Sequence, residues 1–322
     1  MNAAKYDYIG ISRCCLPRKA KGISNIISYL LDRWYNEKSF NIVAAQGYGT
    51  GQQLLLYKRL ASRIRHELVI LAYYLGNDVE DNISDEKRRP FVDVSDTDNS
   101  ILLVRKPVKV IDHRVIKITK DSTLIERIDS ALQPVQNYLW DYTEIYPYVV
   151  SHAKIALNLL PRPGAAVPPM DGIPHTRKLL SRLLELTQEN GAKTLLVLVP
   201  ESGEINPHKI TEFTAETGAP FWNAQRQMIR ELAGQFDHVE LIDLASIFRE
   251  ALRSGEEPYG KADFHASAAG HRIIARAIAE RMEAAYGLPV PTNENMKRSF
   301  VDFELGAHPS KPACELFGKI RG

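Results

Sequence analysis

The sequence has few cysteines, no excess of charge of one sign and no long apolar run. Its 322 residues include three cysteines, Cys14, Cys15 and Cys314, and the adjacent pair is badly placed to form a bond. We therefore expect a fold without a disulfide framework. The 41 basic and 39 acidic side chains leave a net charge of +2. Because this charge creates no whole-molecule field that attracts polyphosphate, we expect no nucleic-acid partner.

The apolar runs are too short to cross a membrane. The longest nearly uncharged run is residues 68–75, whereas a spanning helix needs about 20 apolar residues. Met1 leads directly into a strand-like segment at residues 6–11, which leaves no room for a secretory signal. These features predict a cytoplasmic protein without a membrane span, and an extracytoplasmic one if the N-terminus is truncated.

The composition is that of an ordinary globular protein, with 44% apolar, 25% charged and 8% aromatic residues. Short apolar runs alternate with helical patterns, which is typical of a parallel sheet covered on both faces. Five strands are predicted, at residues 6–11, 40–45, 68–75, 194–199 and 239–244. Helices are predicted at residues 24–34, 52–65, 176–189, 207–217, 222–233, 245–253 and 266–285. The pattern indicates an open α/β sandwich, whose ligands lie at the carboxyl ends of the strands.

The alternation is interrupted after the third strand. We predict one domain over residues 1–290 with an insertion at residues 83–175, followed by a C-terminal tail at residues 291–322. Inside the insertion the patterns predict a β-hairpin at 101–118, helices at 124–138 and 142–159, and a proline-rich surface linker at 161–174.

Reactive side chains follow the predicted strands at their carboxyl ends. Ser12 follows the first strand, glycine-rich residues 47–51 the second, and residues 76–78 the third, while Asp263 and His265 precede the last helix. The carboxyl ends of parallel strands share one edge of the sheet. A hydroxyl, an imidazole, a carboxylate and amide donors at one edge are the groups that acyl transfer requires.

These residues resemble the SGNH or GDSL-type hydrolases, a family named for serine, glycine, asparagine and histidine in four separated blocks. The third block matches best, because a buried strand runs into Gly-Asn-Asp at 76–78. The glycine-rich second block at 47–53 and the Asp-Phe-His block at 263–265 also match. In the first block the family's Gly-Asp-Ser reads Gly-Ile-Ser at 10–12.

The resemblance implies a flavodoxin-like three-layer sandwich with a central five-stranded parallel sheet. It implies Ser12 as nucleophile, His265 as general base and Asp263 as the carboxylate that orients the base. The backbone amides of Ser12 and Gly47 and the side chain of Asn77 would form the oxyanion hole. The implied activity is hydrolysis of a carboxylic ester without a metal or an organic cofactor. The long insertion resembles members that act on acetylated polysaccharides, so we expect a small-molecule or glycan ester, above all an O-acetyl group on a carbohydrate.

Other interpretations stay open. Ile11 stands where the family has aspartate, which would suit a catalytically impaired relative that binds a glycan or a partner. Transfer of the acyl group to a sugar hydroxyl would make the protein an O-acyltransferase. Residues 47–51 would also suit a nucleotide-binding loop, although Gln52 replaces the third glycine. Asn77 alone is typical of a helix or turn cap, and His271 of a packing or surface residue. The sequence indicates no particular oligomeric state.

Overall fold

The structure is a computed structural model. It describes residues 6–11, 30–31, 33–35, 38–42, 48–83, 90–105, 167–207, 213, 215–260, 265–292, 294–296 and 299. The elements in chain order are β1 (Tyr6–Ile11), β2 (Lys38–Ile42), α1 (Thr50–Leu60), β3 (His66–Tyr74), α2 (Asp78–Ile83), β4 (Phe91–Val94), β5 (Ile101–Arg105), α3 (Gly172–Glu189), β6 (Lys193–Val199), α4 (Ser202–Ile205), α5 (Ala215–Ala233), β7 (Val239–Asp243), α6 (Ala245–Arg253) and α7 (Ala268–Tyr286).

The central sheet has five parallel strands in the order β2-β1-β3-β6-β7. This is the 2-1-3-4-5 order of flavodoxin-like folds, in which the chain reverses direction across the sheet between the first and third strands. Ile11 at the end of β1 pairs with Leu71, and Leu71 pairs with Leu196. The predicted five-stranded parallel sheet is therefore confirmed.

Two apolar clusters cover the two faces of the sheet. One cluster contains Leu71 of β3 together with side chains of α1, α3 and α5. The other contains Ile70 of β3 together with side chains of α6 and α7. Successive side chains of a strand point to opposite faces, so a strand in the middle layer must be apolar at nearly every position. The unbroken apolar runs of β3 and β6 have this cause, and the predicted three-layer sandwich is confirmed.

Several predicted boundaries are wrong. The strand predicted at 40–45 begins at Lys38, and residues 43–45 lie outside the described residues. The helix predicted at 52–65 runs from Thr50 to Leu60, because the amides of Arg63 and Ile64 both bond to the Leu60 carbonyl and turn the chain into β3. The apolar periodicity could not predict this helix end, because Ile64 continues the helical spacing and the turn-forming hydrogen bonds leave no sequence pattern.

The predicted linker at 161–174 also needs correction. Helix α3 begins at Gly172, and Pro174 lies in its first turn, where proline removes no helical hydrogen bond. A Cβ atom on Gly172 would lie 2.6 Å from Val79 Cγ1 of α2. Gly172 and Pro174 therefore start a closely packed helix, whereas residues 167–171 precede it without helical structure and residues 161–166 lie outside the described residues.

Two more predictions concern segments that are described only in part. Helix α5 begins at Ala215, before the predicted start at 222, and contains Pro220, while residues 208–212 and 214 of the helix predicted at 207–217 lie outside the described residues. Strand β5 pairs antiparallel with β4, which was not predicted as a strand. Residues 106–118, 124–138 and 142–159 lie outside the described residues, as does most of the helix predicted at 24–34.

Candidate active site

The turn after β3 carries the Gly-Asn-Asp motif and is held by its own residues. Asp78 Oδ2 accepts a 2.9 Å hydrogen bond from the Tyr74 amide, and the Leu75 amide donates to the Val199 carbonyl at 3.0 Å. A Cβ atom on Gly76 would lie 2.4 Å from Tyr74 Cε1, so the tyrosine ring covers the turn and would have to move to admit a larger residue. The Gly-Asn-Asp motif therefore has a structural role, which is to form a tight turn.

Asn77 begins α2 through its backbone and not through its side chain. Its carbonyl accepts a 2.9 Å hydrogen bond from the Asp81 amide. Its Oδ1 atom is buried and accepts no hydrogen bond from any residue that the structure describes. A capping asparagine would use this oxygen to accept a backbone amide of the first turn. Since buried polar atoms are nearly always paired, this side chain is not explained by capping.

The loop that carries the last block is closed over the end of β6. Tyr259 and Ala266 form an antiparallel bridge, and the Gly260 amide donates to the His265 carbonyl at 2.8 Å. The buried Tyr259 hydroxyl donates to the carbonyl of Pro200, the residue after β6. Burial, together with the charges of Tyr74, Glu201 and Glu204, raises the pKa of Tyr259 well above its usual range. The described ends of the loop, at Tyr259 and His265, thus lie at the same sheet edge as the β3 turn, and residues 261–264 lie outside the described residues.

The start of α7 determines where this loop stands. Ser267 is the N-cap: its hydroxyl accepts from the Gly270 amide at 3.0 Å and donates to the Glu257 carbonyl at 2.5 Å. A Cβ atom on Gly270 would lie 2.0 Å from the Pro258 carbonyl oxygen. The glycine in the last block therefore allows α7 to begin directly against the backbone that precedes the loop.

Two histidines flank the start of α7. His265 is half-buried, and its Nδ1 atom is buried. His271, one helical turn inside α7, is 8% exposed. Burial, with a smaller contribution from His265, lowers the pKa of His271 from 6.5 to about 4. His271 is therefore a buried neutral imidazole at neutral pH, and among the described residues its Nδ1 atom has no hydrogen-bond partner.

Three neighbours of the candidate site were missed by reasoning from the sequence. The Tyr73 hydroxyl donates to Gln225 Oε1 at 2.7 Å, and Gln225 Nε2 donates to the Leu75 carbonyl at 3.0 Å, so α5 holds the β3 turn. Burial and the nearby Asp78 charge raise the pKa of Tyr73. Glu201, directly after Pro200, is buried and its pKa is raised by burial. Glu201 could have been found by reading past the carboxyl end of the fourth strand.

The predicted site residues divide into two groups. Asn77 and His265 are described, and both lie at the carboxyl edge of the sheet. Ser12, Gly47 and Asp263 lie outside the described residues; β1 ends at Ile11, immediately before Ser12.

The glycine-rich turn has a structural explanation. The Gly49 amide donates to Gln52 Oε1 at 2.8 Å, and the Gly51 amide donates to Asn82 Oδ1 at 3.0 Å. A Cβ atom on Gly49 would lie 2.7 Å from the same Asn82 oxygen. A nucleotide-binding loop would direct its free amides to phosphate. Because side chains of this chain occupy both amides, the turn gives no support to the nucleotide-binding interpretation.

Within the described ranges, no three His, Cys, Asp or Glu side chains converge as metal ligands. No helix in that same part of the chain is long and apolar enough to cross a membrane.

Comparison with known proteins gives a family match for part of the chain. Residues 164–304, less than half of the sequence, match the family model described as "SGNH hydrolase-like domain, acetyltransferase AlgX". The matched part contains Asp263 and His265 but not Ser12, Gly47 or Asn77. The match confirms the resemblance to SGNH-type hydrolases that the motifs predict.

Several solved structures are similar to this chain. A GDSL-like lipase from Bacteroides thetaiotaomicron is 10% identical, with 87% of this chain and 88% of that chain covered and a TM-score of 0.42. A catalytic mutant of the acetylxylan esterase Axe2 from Geobacillus stearothermophilus is 14% identical, with 88% and 96% covered and a TM-score of 0.41. The salicylyl-acyltransferase SsfX3 from a tetracycline biosynthetic pathway is 12% identical, with 90% and 58% covered and a TM-score of 0.42. No curated protein matches the sequence.

Proposed function

We propose that this protein is a serine esterase that removes an ester-linked acyl group, with an O-acetyl group on a carbohydrate as the favoured substrate. The observation that carries the proposal is the side chain of Asn77. It stands in a rigid turn at the carboxyl edge of the sheet, and its buried oxygen has no partner among the described residues. An oxyanion site requires donors that are positioned before the charge develops, and in Asn77 the donor would be the Nδ2 amide group, since the oxygen only accepts hydrogen bonds.

The proposed reaction has two halves. His265 Nε2 takes the proton from Ser12 Oγ while this oxygen attacks the ester carbonyl carbon, and Asp263 orients the imidazole through Nδ1. The amides of Ser12, Gly47 and Asn77 stabilise the oxyanion. His265 then gives the proton to the departing alcohol, which leaves an acyl group on Ser12. A water molecule, deprotonated by His265, releases the acid and restores the serine.

Hydrolysis of p-nitrophenyl acetate tests the assignment. We expect Ser12→Ala and His265→Ala each to lower kcat by about 10⁴-fold or more, because the members of a triad act as a unit. Ser254→Ala is the matched control, since this exposed hydroxyl only donates to the Ala251 carbonyl. If both site variants hydrolyse the ester like the parent protein, the proposal is wrong.

A serine-directed fluorophosphonate probe separates the esterase from a relative that only binds a glycan or a partner. Labelling of Ser12 that disappears in His265→Ala would support the esterase, because the probe reacts only with an activated hydroxyl. Absence of labelling in the folded parent protein would favour the binding protein.

Acyl transfer is the second candidate, and the acetyltransferase named in the family description favours it. Transfer and hydrolysis share the acyl-enzyme and differ in the acceptor. Incubation with p-nitrophenyl acetate and an oligosaccharide distinguishes the two: acetylated oligosaccharide, detected by mass spectrometry, indicates transfer, and acetate alone indicates hydrolysis.

A further inference from the structure

A charged cleft lies beside β7, at the same edge of the sheet as the candidate active site. It has a volume of about 290 Å³ and opens between α5 and α6. Its charged walls are formed by three arginines and two carboxylates, and Ser246 and Asn223 add polar groups. The chain segments that form it differ from those that carry Asn77 and His265.

Arg226 hydrogen-bonds to both carboxylates. Its guanidinium bonds to both oxygens of Glu204 at 2.8 and 2.9 Å, and its Nε donates to Asp243 Oδ2 at 2.8 Å. The Arg226 side chain is 9% exposed and that of Glu204 is 10% exposed. A buried carboxylate needs a paired cation, and Arg226 provides hydrogen bonds to both. Its single charge balances one of the two carboxylates, so a second arginine completes the balance and a third is in excess.

Arg230 and Arg249 are the additional arginines. Arg230 Nη2 contacts Asp243 Oδ2 at 2.9 Å, and Arg249 Nη2 contacts Glu204 Oε1 at 2.7 Å. Each guanidinium has five N–H donors and uses one nitrogen in this way; the structure shows no further hydrogen bond of either within its described residues. Their side chains are 60% and 41% exposed, while the carboxylates that they contact are 20% and 10% exposed. Each pair therefore joins an exposed guanidinium, with donors free to face solvent, to a largely buried carboxylate.

The charge in the cleft is unbalanced. Three guanidinium groups face two carboxylates, which leaves one positive charge in excess. The Ser246 hydroxyl lies in the first turn of α6, where the positive end of the helix dipole adds to the attraction for an anion. The cleft thus combines spare planar donors, a hydroxyl and a net positive charge.

We propose that this cleft is an oxyanion-binding site, which takes a carboxylate or a phosphate group through Arg230, Arg249 and Ser246. Planar guanidinium forks match the two oxygens of such groups. Arg226, Glu204 and Asp243 form the rigid base that holds the two exposed arginines apart. The site stands independently of the esterase proposal, since none of its residues takes part in the proposed reaction.

Titration calorimetry with inorganic phosphate at constant ionic strength tests the site. We expect phosphate binding to the full chain that weakens about tenfold in Arg230→Gln and in Arg249→Gln, because each loses charge-assisted hydrogen bonds. At ten times its Kd, phosphate should raise the Tm of the parent protein by about 2–4 °C. Arg253→Gln is the matched control: it lies on the same helix and contacts only Glu250.

Three outcomes decide the matter. Binding lost in the Arg230→Gln, Arg249→Gln double variant and kept in Arg253→Gln supports the site. Absence of phosphate binding in the parent protein, or equal binding in the double variant, overturns it and leaves a structural ion-pair network. Phosphate binding should be unchanged in Ser12→Ala, so a failure of this site and a failure of the esterase assignment are distinguishable.

A second arm distinguishes a free anion from an anionic group of the substrate. Two substrates are compared, para-acetoxybenzoate and its uncharged methyl ester, and KM is measured for each. If the site holds the substrate's own carboxylate, Arg249→Gln raises KM for the acid alone. Equal KM changes for both esters, with phosphate binding lost, indicate a free anion.

Discussion

The turns after β3 and β6 lie side by side at one edge of the sheet and use their polar residues differently. After β6, the Glu201 carboxylate caps α4 by accepting hydrogen bonds from the Ser202 hydroxyl at 2.9 Å and from the Gly203 amide. After β3, Asn77 starts α2 with its carbonyl, and its side-chain oxygen has no partner among the described residues. Asparagine is a preferred capping residue, and glutamate is not, yet here the glutamate caps its helix and the asparagine side chain does not. The difference teaches that a polar residue after a strand becomes a site candidate only when capping does not account for it.

The largest effect that distinguishes the two turns is expected in turnover. Asn77→Ala should lower kcat for p-nitrophenyl acetate by about 10²- to 10³-fold, the usual loss for one oxyanion donor. Its free energy of unfolding should change by less than about 0.5 kcal/mol, since the side-chain oxygen holds nothing that the structure describes. Glu201→Gln, which keeps an acceptor for the Gly203 amide, should leave kcat within about threefold. Equal losses of kcat in the two variants would contradict the expectation that Asn77 takes part in catalysis and that Glu201 only caps a helix.

The next effect extends the comparison to His271, another buried polar side chain near this edge. Its folded pKa of about 4 lies below the unfolded value of 6.5, so the unfolded chain takes up the proton first. Stability present above pH 6.5 is therefore lost as the pH falls towards 4, by about 3 kcal/mol in total. Urea unfolding at several pH values should show this loss in the parent protein and a smaller one in His271→Gln. Parallel pH curves would show that His271 is not buried as a neutral group.

A third effect tests whether the loop over β6 depends on the close approach of α7. Gly270→Ala should cost about 2–3 kcal/mol of unfolding free energy, because its Cβ atom would lie 2.0 Å from a backbone oxygen that cannot rotate away. Gly234→Ala is the control: its Cβ atom would meet its nearest neighbour at 3.4 Å, and we expect a change within about 1 kcal/mol. Similar losses in both variants would show that α7 has room to shift.

The smallest effect concerns the acid behaviour of Glu201. Burial raises its folded pKa above the ordinary 4.5, so the folded state holds the proton longer than the unfolded chain. The stability from this group is complete below pH 4.5 and is lost as the pH rises through the folded pKa. The parent protein should therefore lose stability relative to Glu201→Gln over this range, by less than the His271 effect because the Ser202 and Gly203 hydrogen bonds oppose the shift. If the parent protein instead lost stability relative to Glu201→Gln as the pH falls, the raised pKa of Glu201 would be contradicted.

Much of the scaffold could be predicted from the residues alone. The apolar runs of β3 and β6 identified middle-layer strands, because residues on both faces of a buried strand must be apolar. Helix α6 was predicted at its observed bounds, Ala245–Arg253, because its apolar stripe begins and ends within one amphipathic segment. Predictions failed where backbone hydrogen bonds or close packing decided the boundary, as at Leu60 and Gly172.

The candidate site was less accessible to sequence reasoning. The Gly-Asn-Asp and Asp-Phe-His motifs led to Asn77 and His265, because reactive side chains after parallel strands share an edge. Tyr259 and Gln225 carry no motif. Their roles arise from contacts with Pro200 and Leu75, which are 59 and 150 residues away in the chain.

The amino-acid sequence by itself determined the layered α/β architecture, the number of strands in the main sheet and the edge at which reactive side chains collect. These follow from hydrophobic periodicity, which is a local property of the chain. Only the tertiary structure decided that Glu201 is a satisfied cap, that the oxygen of Asn77 is not used in capping, and that three arginines gather around two carboxylates. Whether a polar group is satisfied depends on partners far away in the chain, and the distance to such partners is defined only after the chain has folded.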